Sequence, residues 1–378
     1  MSRGLGALLL AALVAAGGPE GPPLRTSNSQ LVTRDAFLMG TRVHLAAYAT
    51  TRDEGLARLD AALRALERTE QQLSTWRQDS DISALNRQPV GRPWQATRST
   101  CRVLRDVFAW QAKTGGVFDP GIGRLIEAWD IHGDGRVPSP AEVTAATARS
   151  GLSRMFFDET RCEVTRRADA TIDVGAFGKG EALDRVEAAL GPGSWLVDLG
   201  GQVSVGGARP DGQSWTVGVA HPQKRDQSYL QISLHEGSLS TSGGSERDLV
   251  VKGKRIAHHL DPRTGMPAAF AGAVTVWHRS GLAADALTTA LYVMGPEEGM
   301  SWAEAHGIAA VFLVPDGDTV RMLTTTAWSR HAGASAPASL SDRDQRDLAP
   351  VRLGGRVRLD RDLRRRALGH GHERAAGG

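Results

Sequence analysis

After residue 170, short apolar runs alternate with paired glycines. This pattern constrains the fold more strongly than any other feature of the sequence. Residues 171–174, 195–207 and 215–222 show the alternation expected of strands in a meander. Helical patterns occur among them without a regular strand–helix–strand alternation. The sequence therefore predicts an α+β fold, with mixed layers around a largely antiparallel sheet in a single large domain.

Local signals predict further elements. A strand is expected over 42–46, and leucines spaced from Leu56 to Leu73 indicate a long amphipathic helix. Ser139, Pro140 and Glu142 supply the N-cap, the first-turn proline and the N3 acid of a helix start. Additional helices are expected at about 102–114, 284–294 and 301–307, and a strand at 309–314.

Charge is distributed unevenly along the chain. The 378 residues are 41% hydrophobic, which allows a substantial core, and the formal net charge is only +3. An arginine-rich, lysine-free segment covers 352–366 without interleaved aromatic residues, so nucleic-acid binding is not expected. We expect residues 330–378 to form a basic, disordered tail. Contact between this tail and an anionic membrane surface is the alternative.

The N-terminus has the pattern of an export signal. Arg3 precedes an apolar run over 5–16, and small residues follow it. This run is shorter than the about 20 residues that a transmembrane helix needs. We expect an export signal over 1–19, a linker over 20–33, and a location in the periplasm or at the outer face of the inner membrane. No cysteine follows the run, so lipid attachment is not expected.

The two cysteines, Cys101 and Cys162, leave two interpretations open. An oxidising compartment would permit a disulfide between them. Two inert thiols are an equal alternative, because a single pair is not a disulfide framework. Their spacing fits neither a metal site nor a redox motif.

Residues 281–295 carry the first candidate for chemistry. Read as a helix, they place Leu287 and Leu291 on one face and Asp285, Thr288 and Thr289 on another. A carboxylate and two hydroxyls on one turn form an oxygen surface suited to a hard cation such as Mg²⁺. A solvated polar face with a back-bonded threonine is the alternative.

Residues 173–180 combine three glycines with Lys179 between a predicted strand and a predicted helix. Glycines permit close backbone approach to an anion, and the helix start adds N–H groups and positive potential. The glycine spacing is that of neither a P-loop nor a dinucleotide fingerprint. A phosphate cradle and a tight structural turn are both compatible with this segment.

Residues 258–265 place His258 and His259 ahead of an Asp-Pro bend. A histidine can accept a proton from an attacking hydroxyl near neutral pH, so His258 is a candidate general base. A structural histidine at the turn is the alternative, and the spacing of other ligands does not support zinc. Residues 198–201 and 240–247 are interpreted as a sharp corner and a hydroxyl-rich loop.

These segments, taken in order with several others, resemble the ApbE family of flavin transferases over about residues 35–323. Each motif is weak alone, whereas eight in the same order are specific. They are Met39-Gly40-Thr41; Leu73-Ser74-Thr75-Trp76 with Ser80 and Asn86; Phe118-Asp119-Pro120; Asp173 to Gly180; Leu199-Gly200-Gly201; Ser242-Gly243; His258 to Gly265; and Ala284-Asp285-Ala286 to Thr289.

The resemblance implies a fold with a T-fold-type core and the activity of an FAD:protein FMN transferase over residues 34–329. Such an enzyme binds FAD as substrate and Mg²⁺, attaches the FMN half to a threonine or serine hydroxyl of an acceptor protein, and releases AMP. The implied acceptor is a flavin-carrying subunit of a membrane-associated redox complex or an exported reductase. An FAD pyrophosphatase and a non-catalytic, exported flavin-binding protein are the alternatives.

The resemblance also implies roles for individual residues. His258 and Asp285 would be catalytic, with His258 as the base toward the acceptor hydroxyl. Asp285 and Thr289, with the backbone carbonyl of Ala176, would hold Mg²⁺, and Thr288 would lie beside them. The residues expected to line the FAD site are Met39, Trp76, Phe118, Asp119, Pro120, Asp173, Lys179, Ser242 and His259.

The chain departs from the family pattern at two positions. Gly121 stands where a threonine often follows Phe-Asp-Pro, which removes one hydroxyl contact to FAD. Trp76 replaces a common tyrosine; it keeps the aromatic face and changes the polar group. Both departures affect the expected geometry of the pocket.

Overall fold

An eight-stranded sheet is the central element of the protein. The computed structural model describes residues 29–224, 227–244, 248–251, 253–331 and 333–335. The strands are β1 (Gln30–Leu38), β2 (Thr41–Ala49), β3 (Pro93–Gln95), β4 (Met155–Asp158), β5 (Glu163–Arg166), β6 (Trp195–Leu199), β7 (Gln202–Gly206), β8 (Trp215–Ala220), β9 (Ser228–Leu234), β10 (Gly237–Gly243), β11 (Leu249–Val251), β12 (Lys254–Ile256), β13 (Ala273–His278), β14 (Ala309–Asp316), β15 (Thr319–Thr324) and β16 (Gly333–Ser335). The helices are α1 (Arg52–Leu73), α2 (Asp81–Arg87), α3 (Arg98–Lys113), α4 (Gly123–Trp129), α5 (Pro140–Arg149), α6 (Gly178–Leu190), α7 (Gly281–Ala305) and α8 (Trp328–His331), with a short 3₁₀ helix at Leu152–Arg154.

The central sheet is antiparallel throughout. Its strand order is β1-β2-β6-β7-β10-β13-β14-β15, and every neighbouring pair runs in opposite directions. Strands β16, β9 and β8 form a second sheet, β3, β5 and β4 a third, and β11 and β12 a hairpin. The predicted α+β fold around a largely antiparallel sheet is confirmed.

The central sheet is covered on both faces. Leu59 of α1 and Leu183 of α6 pack against Leu45 and Val197 on one face, and α7 continues this helical layer over β10, β13 and β14. The other face packs against the apolar side of β8 and β9. Alternation of side chains along each strand supplies both apolar faces, and the site described below lies in the helical layer.

Helix α7 combines the two helices expected at 284–294 and 301–307. Gly295, at φ 76° and followed by Pro296, interrupts the helical geometry, so the two expected helices are halves of one kinked element. The helix is covered on both sides: Leu287 packs toward the sheet, and Ala290 packs into a cluster with α2 and α3. The interpretation of this helix face as solvated is therefore wrong, because Asp285 is buried, whereas the back-bonded threonine that it included is present.

Helix α5 begins as its sequence predicts. The Ser139 side chain accepts the Glu142 N–H, the Glu142 carboxylate accepts the Ser139 N–H at 2.7 Å, and Pro140 is the first helical residue. The corner expected at 198–201 is the β6–β7 hairpin, where the Gly201 N–H donates to Asp198 at 2.7 Å.

Ordered structure extends past both expected domain boundaries. Strand β1 begins at Gln30 and pairs with β2 along its whole length, so residues 30–33 belong to the sheet and not to the linker. At the other end, α8 buries Trp328, and β16 pairs with β9 beyond residue 329. The predictions for 1–19, for 20–28 and for 336–378 lie outside the described residues, as do positions 245–247 of the segment interpreted as a hydroxyl-rich loop. Positions 240–243 of that segment belong to β10, so the loop interpretation is wrong there.

Cys101 and Cys162 form a disulfide, so the inert-thiol alternative is wrong. Cys101 lies in α3, and Cys162 lies in the turn between β4 and β5. The bond fastens this small hairpin to the helix. Within the described part of the chain, no helix has the length and apolarity required to cross a bilayer.

Candidate active site

A pocket opens between the start of α6, the middle of α7 and the turn that follows β12. Its walls come from stretches of chain that are far apart in sequence. They are Val117, Asp119, Pro120, Ile122, Ile126, Ile131, His132, Asp173, Gly175, Ala176, Lys179, Thr241, Ser242, His258, His259, Leu260, Pro262, Asp285 and Thr289. The predicted anion loop, the predicted histidines and part of the predicted oxygen-bearing helix face therefore meet in one cavity.

A lysine and a carboxylate meet at the base of this pocket. Lys179 Nζ lies 3.2 Å from Asp285 Oδ1, and the Gly180 N–H donates to Asp285 Oδ2 at 3.1 Å. Asp285, whose side chain is only 5% exposed, thus caps the N-terminus of α6 from α7. A buried carboxylate is stable there because it faces a cation, an amide and the positive end of a helix dipole.

Two glycines bring α6 and α7 into backbone contact. A Cβ on Gly180 would lie 2.2 Å from the carbonyl oxygen of Gly281, and a Cβ on Gly281 would lie 2.6 Å from that of Gly180. No larger residue fits either position unless the helices separate. Asp184 of α6 adds to the junction because its carboxylate accepts the N–H groups of Gly281 and Leu282 at the start of α7. This junction sets the position of Asp285 relative to Lys179.

The two adjacent threonines of α7 point to different surroundings. Thr289 lines the pocket, and its Oγ1 donates to the Asp285 carbonyl at 3.1 Å. Thr288 is fully buried; its Oγ1 donates to the Ala284 carbonyl at 2.7 Å and lies 3.0 Å from Ser240 Oγ. Successive helical residues are rotated by about 100°, so the two side chains face different neighbours, although both hydroxyls donate to the Asp285 carbonyl at 3.1 Å. Thr288 faces β10 and does not line the pocket.

His258 is held by an acidic residue that the sequence analysis missed. His258 Nδ1 lies 2.9 Å from Asp248 Oδ1, and the His258 backbone N–H donates to the same oxygen at 3.2 Å. Arg255 Nε donates to the other carboxylate oxygen. Burial alone would raise the pKa of Asp248, but the hydrogen bonds from His258 and Arg255 outweigh it and hold that pKa below its usual range.

The β11–β12 hairpin explains this pairing. Leu249 pairs with Ile256, so the residue that precedes β11 lies beside the residues that follow β12. Recognition of that hairpin from the sequence would have placed Asp248 next to His258.

His259 lies in a row of aromatic rings. Its ring centroid is 3.9 Å from that of His258 and 4.4 Å from that of Tyr292 on α7. The Tyr292 hydroxyl donates to the Phe270 carbonyl at 2.7 Å, and burial raises the pKa of Tyr292 to about 12. Tyr292 therefore remains a neutral platform beneath the histidine pair.

A second histidine–carboxylate pair lies toward Trp76, and His132 was also missed from the sequence. His132 Nε2 lies 2.8 Å from Asp173 Oδ2, and Asp173 Oδ1 accepts the Gly175 N–H at 2.8 Å. The Trp76 ring meets the His132 ring edge-on at 5.2 Å and is 74% exposed. An exposed aromatic face beside the pocket is suited to stacking on a planar ring.

Asp119 supports the pocket wall from within. Its carboxylate accepts the N–H groups of Gly121 at 2.8 Å and Leu152 at 2.9 Å, while burial raises its pKa above the usual range. A Cβ on Gly121 would lie 2.5 Å from the backbone of Gly151 and Leu152. The glycine at this position is therefore required by the close approach of a neighbouring loop.

Not all residues expected around FAD lie on the pocket wall. Phe118 is fully buried in the cluster that contains Phe177, beneath the segment that carries Asp119 and Pro120. Met39 packs partly buried in the cluster of α1 and α6, near the start of α6. Pro120, Ser242 and Ala176 do line the pocket.

The donor atoms at the base of the pocket match a hard cation. The Asp285 carboxylate, the Thr289 hydroxyl and the Ala176 backbone carbonyl are all oxygen donors, which Mg²⁺ prefers. Within the described residues, no group of three or more His, Cys, Asp or Glu side chains is arranged to hold a metal ion. Besides the single carboxylate of Asp285, a metal at this position would thus be held by backbone and hydroxyl oxygens and by oxygens of the molecule bound in the pocket.

Fold and pocket together define an α+β protein whose pocket combines a helix N-terminus, a lysine–carboxylate pair and two histidine–carboxylate pairs. The model of the ApbE family matches residues 39–312. An FAD:protein FMN transferase of Klebsiella pneumoniae (strain 342) is 30% identical over 329 residues, which cover 82% of this chain and 93% of the relative. That of Treponema pallidum (strain Nichols) is 31% identical over 284 residues, which cover 69% and 78%.

A solved structure shows the same fold. The apo form of the flavinyl transferase ApbE of Pseudomonas stutzeri superposes with a TM-score of 0.72 at 29% identity, and the match covers 82% of this chain and 98% of that one. The chain belongs to the ApbE family.

Proposed function

We propose that this protein transfers the FMN half of FAD to a threonine or serine hydroxyl of an acceptor protein and releases AMP. One observation carries the proposal: the Lys179–Asp285 pair at the start of α6 lines the same pocket as His258, whose ring is held by Asp248. The first pair lies where a pyrophosphate would meet a helix N-terminus. The second supplies a base for an attacking hydroxyl. The curated relatives carry the name of this activity.

The residues divide the chemistry between them. In the proposed reaction, the acceptor oxygen bonds to the FMN phosphorus as the bond from that phosphorus to the bridging oxygen of AMP breaks. His258 takes the hydroxyl proton, which is worth about 10²–10⁴-fold in rate. Lys179 and the first amides of α6 neutralise charge on the phosphates, and this is the main contribution a protein makes to phosphoryl transfer.

Asp285, Thr289 and the Ala176 carbonyl would hold Mg²⁺. Bound there, the ion would supply positive charge beside the pyrophosphate oxygens. Lys179 now pairs with Asp285, so this lysine is placed to turn toward a phosphate when the carboxylate takes on another cation. Thr288 is left out of this ligand set because its hydroxyl is bonded inside the helical layer.

The decisive experiment mixes the purified protein, FAD and Mg²⁺ with a threonine-bearing acceptor. Flavin fluorescence that remains on the acceptor after denaturing electrophoresis is the expected result. Rapid release of FMN and AMP without an acceptor would instead identify a pyrophosphatase. Intact FAD retained by the protein, with acceptor and Mg²⁺ present, would identify a flavin-binding protein.

We further propose that the protein acts after export, on a flavin-carrying subunit of a redox complex or an exported reductase. The Cys101–Cys162 disulfide is in keeping with an oxidising compartment. Contact of the arginine-rich tail with anionic lipid remains part of this proposal. Deletion of residues 350–378 is expected to weaken association with anionic liposomes, and unchanged association would exclude that contact.

A further inference from the structure

We propose that Asp248 is a positioning residue for His258: its carboxylate fixes the imidazole so that Nδ1 carries the proton and Nε2 accepts one from the acceptor hydroxyl. This inference rests on the proposed function and adds a residue to its machinery. It makes His258 part of an acid–histidine unit and not an isolated base.

The hydrogen bonds around Asp248 determine which ring nitrogen is protonated. The lowered pKa of Asp248 means that its carboxylate is ionised near neutral pH, and an ionised carboxylate only accepts hydrogen bonds. At 2.9 Å from Asp248 Oδ1, His258 Nδ1 must therefore be the donor. Nε2 is then the nitrogen with a lone pair, on a ring that lines the pocket.

The geometry also restricts rotation of the ring. The His258 backbone N–H and side chain both bind Oδ1 of Asp248, while Arg255 holds Oδ2, so the carboxylate is fixed at both oxygens. The His259 ring packs against the His258 ring, with the two centroids 3.9 Å apart. The base is therefore oriented before substrate arrives.

Other charged and ionisable groups surround the His258–Asp248 pair. Arg255, which donates to the second carboxylate oxygen of Asp248, carries a positive charge. Tyr292 stays neutral behind His259 because its pKa is raised to about 12. The other titratable groups on the pocket wall are His259, whose ring adjoins that of His258, and Asp119, His132, Asp173, Lys179 and Asp285.

The primary test compares FMN transfer by wild-type protein and by Asp248→Asn across pH. The amide keeps the size of the side chain and removes its charge. We expect kcat to fall by about 10- to 100-fold, a part of what a general base supplies. We expect this loss at every pH at which the Asp248 carboxylate, whose pKa is lowered, is ionised, because the amide does not impose one tautomer on the ring. FAD affinity should not change.

The chain provides a matched control. Asp35 Oδ1 lies 2.9 Å from His44 Nδ1, on strands outside the pocket. Asp35→Asn removes the charge from a similar pair and is expected to leave both kcat and its pH profile unchanged. Asp248→Glu, which keeps the charge, should retain more activity than Asp248→Asn and shows whether charge or packing is responsible.

A double-mutant cycle tests whether Asp248 acts through His258. In a His258→Ala background, Asp248→Asn should cause no further loss of rate, because the residue that it positions is absent. An equal fold-loss in both backgrounds would show that Asp248 acts elsewhere, and the inference would be overturned.

Long-range ¹H–¹⁵N NMR of the imidazoles provides a readout besides activity. His258, assigned by comparison with His258→Gln, should show a proton on Nδ1 in wild type and a mixture of tautomers in Asp248→Asn. A proton on Nε2 in wild type would contradict the inference. If wild type forms no covalent flavin, the proposed function fails and the base role with it. If wild type transfers FMN and Asp248→Asn matches it, only the inference fails.

Discussion

At the scale of single residues, the site depends on which hydroxyl faces the pocket. Thr288 and Thr289 are neighbours with the same side chain, but only Thr289 is at the wall. We expect Thr289→Val to raise the Mg²⁺ concentration needed for half-maximal transfer. Thr288→Val should leave that concentration unchanged and lower stability by about 1–3 kcal/mol, because it deprives Ser240 of a buried partner. Metal titrations of activity and denaturant unfolding measure the two effects, and the opposite pattern would exchange the two roles.

Asp285 serves two purposes, and its removal should affect both. Asp285→Ala deletes a proposed metal ligand and leaves Lys179 and the Gly180 amide without their carboxylate. We expect loss of Mg²⁺-dependent FMN transfer, measured by covalent flavin on the acceptor. Transfer at the wild-type rate would refute the assignment of the metal site.

At the residue level, the sequence points to candidates that stand in short local motifs. Asp285, Thr289 and Lys179 stand in short motifs, and the structure brings them to one wall of one pocket. Asp248 and His132 were missed because each meets its partner through the fold, at separations of 10 and 41 residues. Thr288 was predicted to lie at the metal site, but its side chain faces β10. Helical periodicity gives the direction in which a side chain leaves the helix axis, and it does not show which element packs there.

At the scale of elements, the α6–α7 junction fixes the site. Gly180→Ala would place a methyl group 2.2 Å from the Gly281 carbonyl and push the helices apart. Overpacking of this kind costs about 1–3 kcal/mol, and we expect FAD affinity to fall with stability. In the same helix, a Cβ on Gly178 would meet nothing closer than 3.5 Å. Gly178→Ala should therefore leave the unfolding midpoint unchanged or slightly higher, and a similar loss in both variants would contradict the argument.

Helix α5 should show a pH-dependent N-terminus. Hydrogen bonds from the Arg136 side chain and then from the Ser139 backbone lower the pKa of Glu142 from 4.5 to about 2. A carboxylate with a lowered pKa stabilises the folded state above its unfolded pKa and loses this effect as the pH falls through the folded value. The stability difference between wild type and Glu142→Gln should therefore shrink between about pH 4.5 and 2. Side-chain carboxyl NMR titration checks the midpoint, and a midpoint near 4.5 would contradict the bond network.

Periodicity was sufficient to predict which segments are helices and which are strands. It was not sufficient to predict how neighbouring segments are connected or paired. The kink at Gly295 joins two helices that the pattern separates at the Gly-Pro step. The sequence of β1 resembles that of a polar linker because few of its side chains are buried. Its place in the sheet comes from backbone pairing with β2, which cannot be inferred from the pattern of side chains.

At the scale of the whole molecule, the disulfide closes a loop of 61 residues between Cys101 and Cys162. Such a loop restricts the unfolded chain and typically adds about 2–4 kcal/mol to stability. We expect a reductant to lower the free energy of unfolding of the wild type by that amount, measured by denaturant unfolding, and to leave a Cys101→Ser/Cys162→Ser variant unaffected. An equal response of both proteins to the reductant would show that the bond contributes nothing.

The pocket itself has a consequence for how the protein can be assayed. Its walls are drawn from the chain between Val117 and Thr289, and neighbouring walls are joined by long intervening segments. A fragment cut anywhere inside that interval carries only part of the cavity. Flavin retention should therefore be all or nothing, and a titration with FAD counts intact molecules in any preparation.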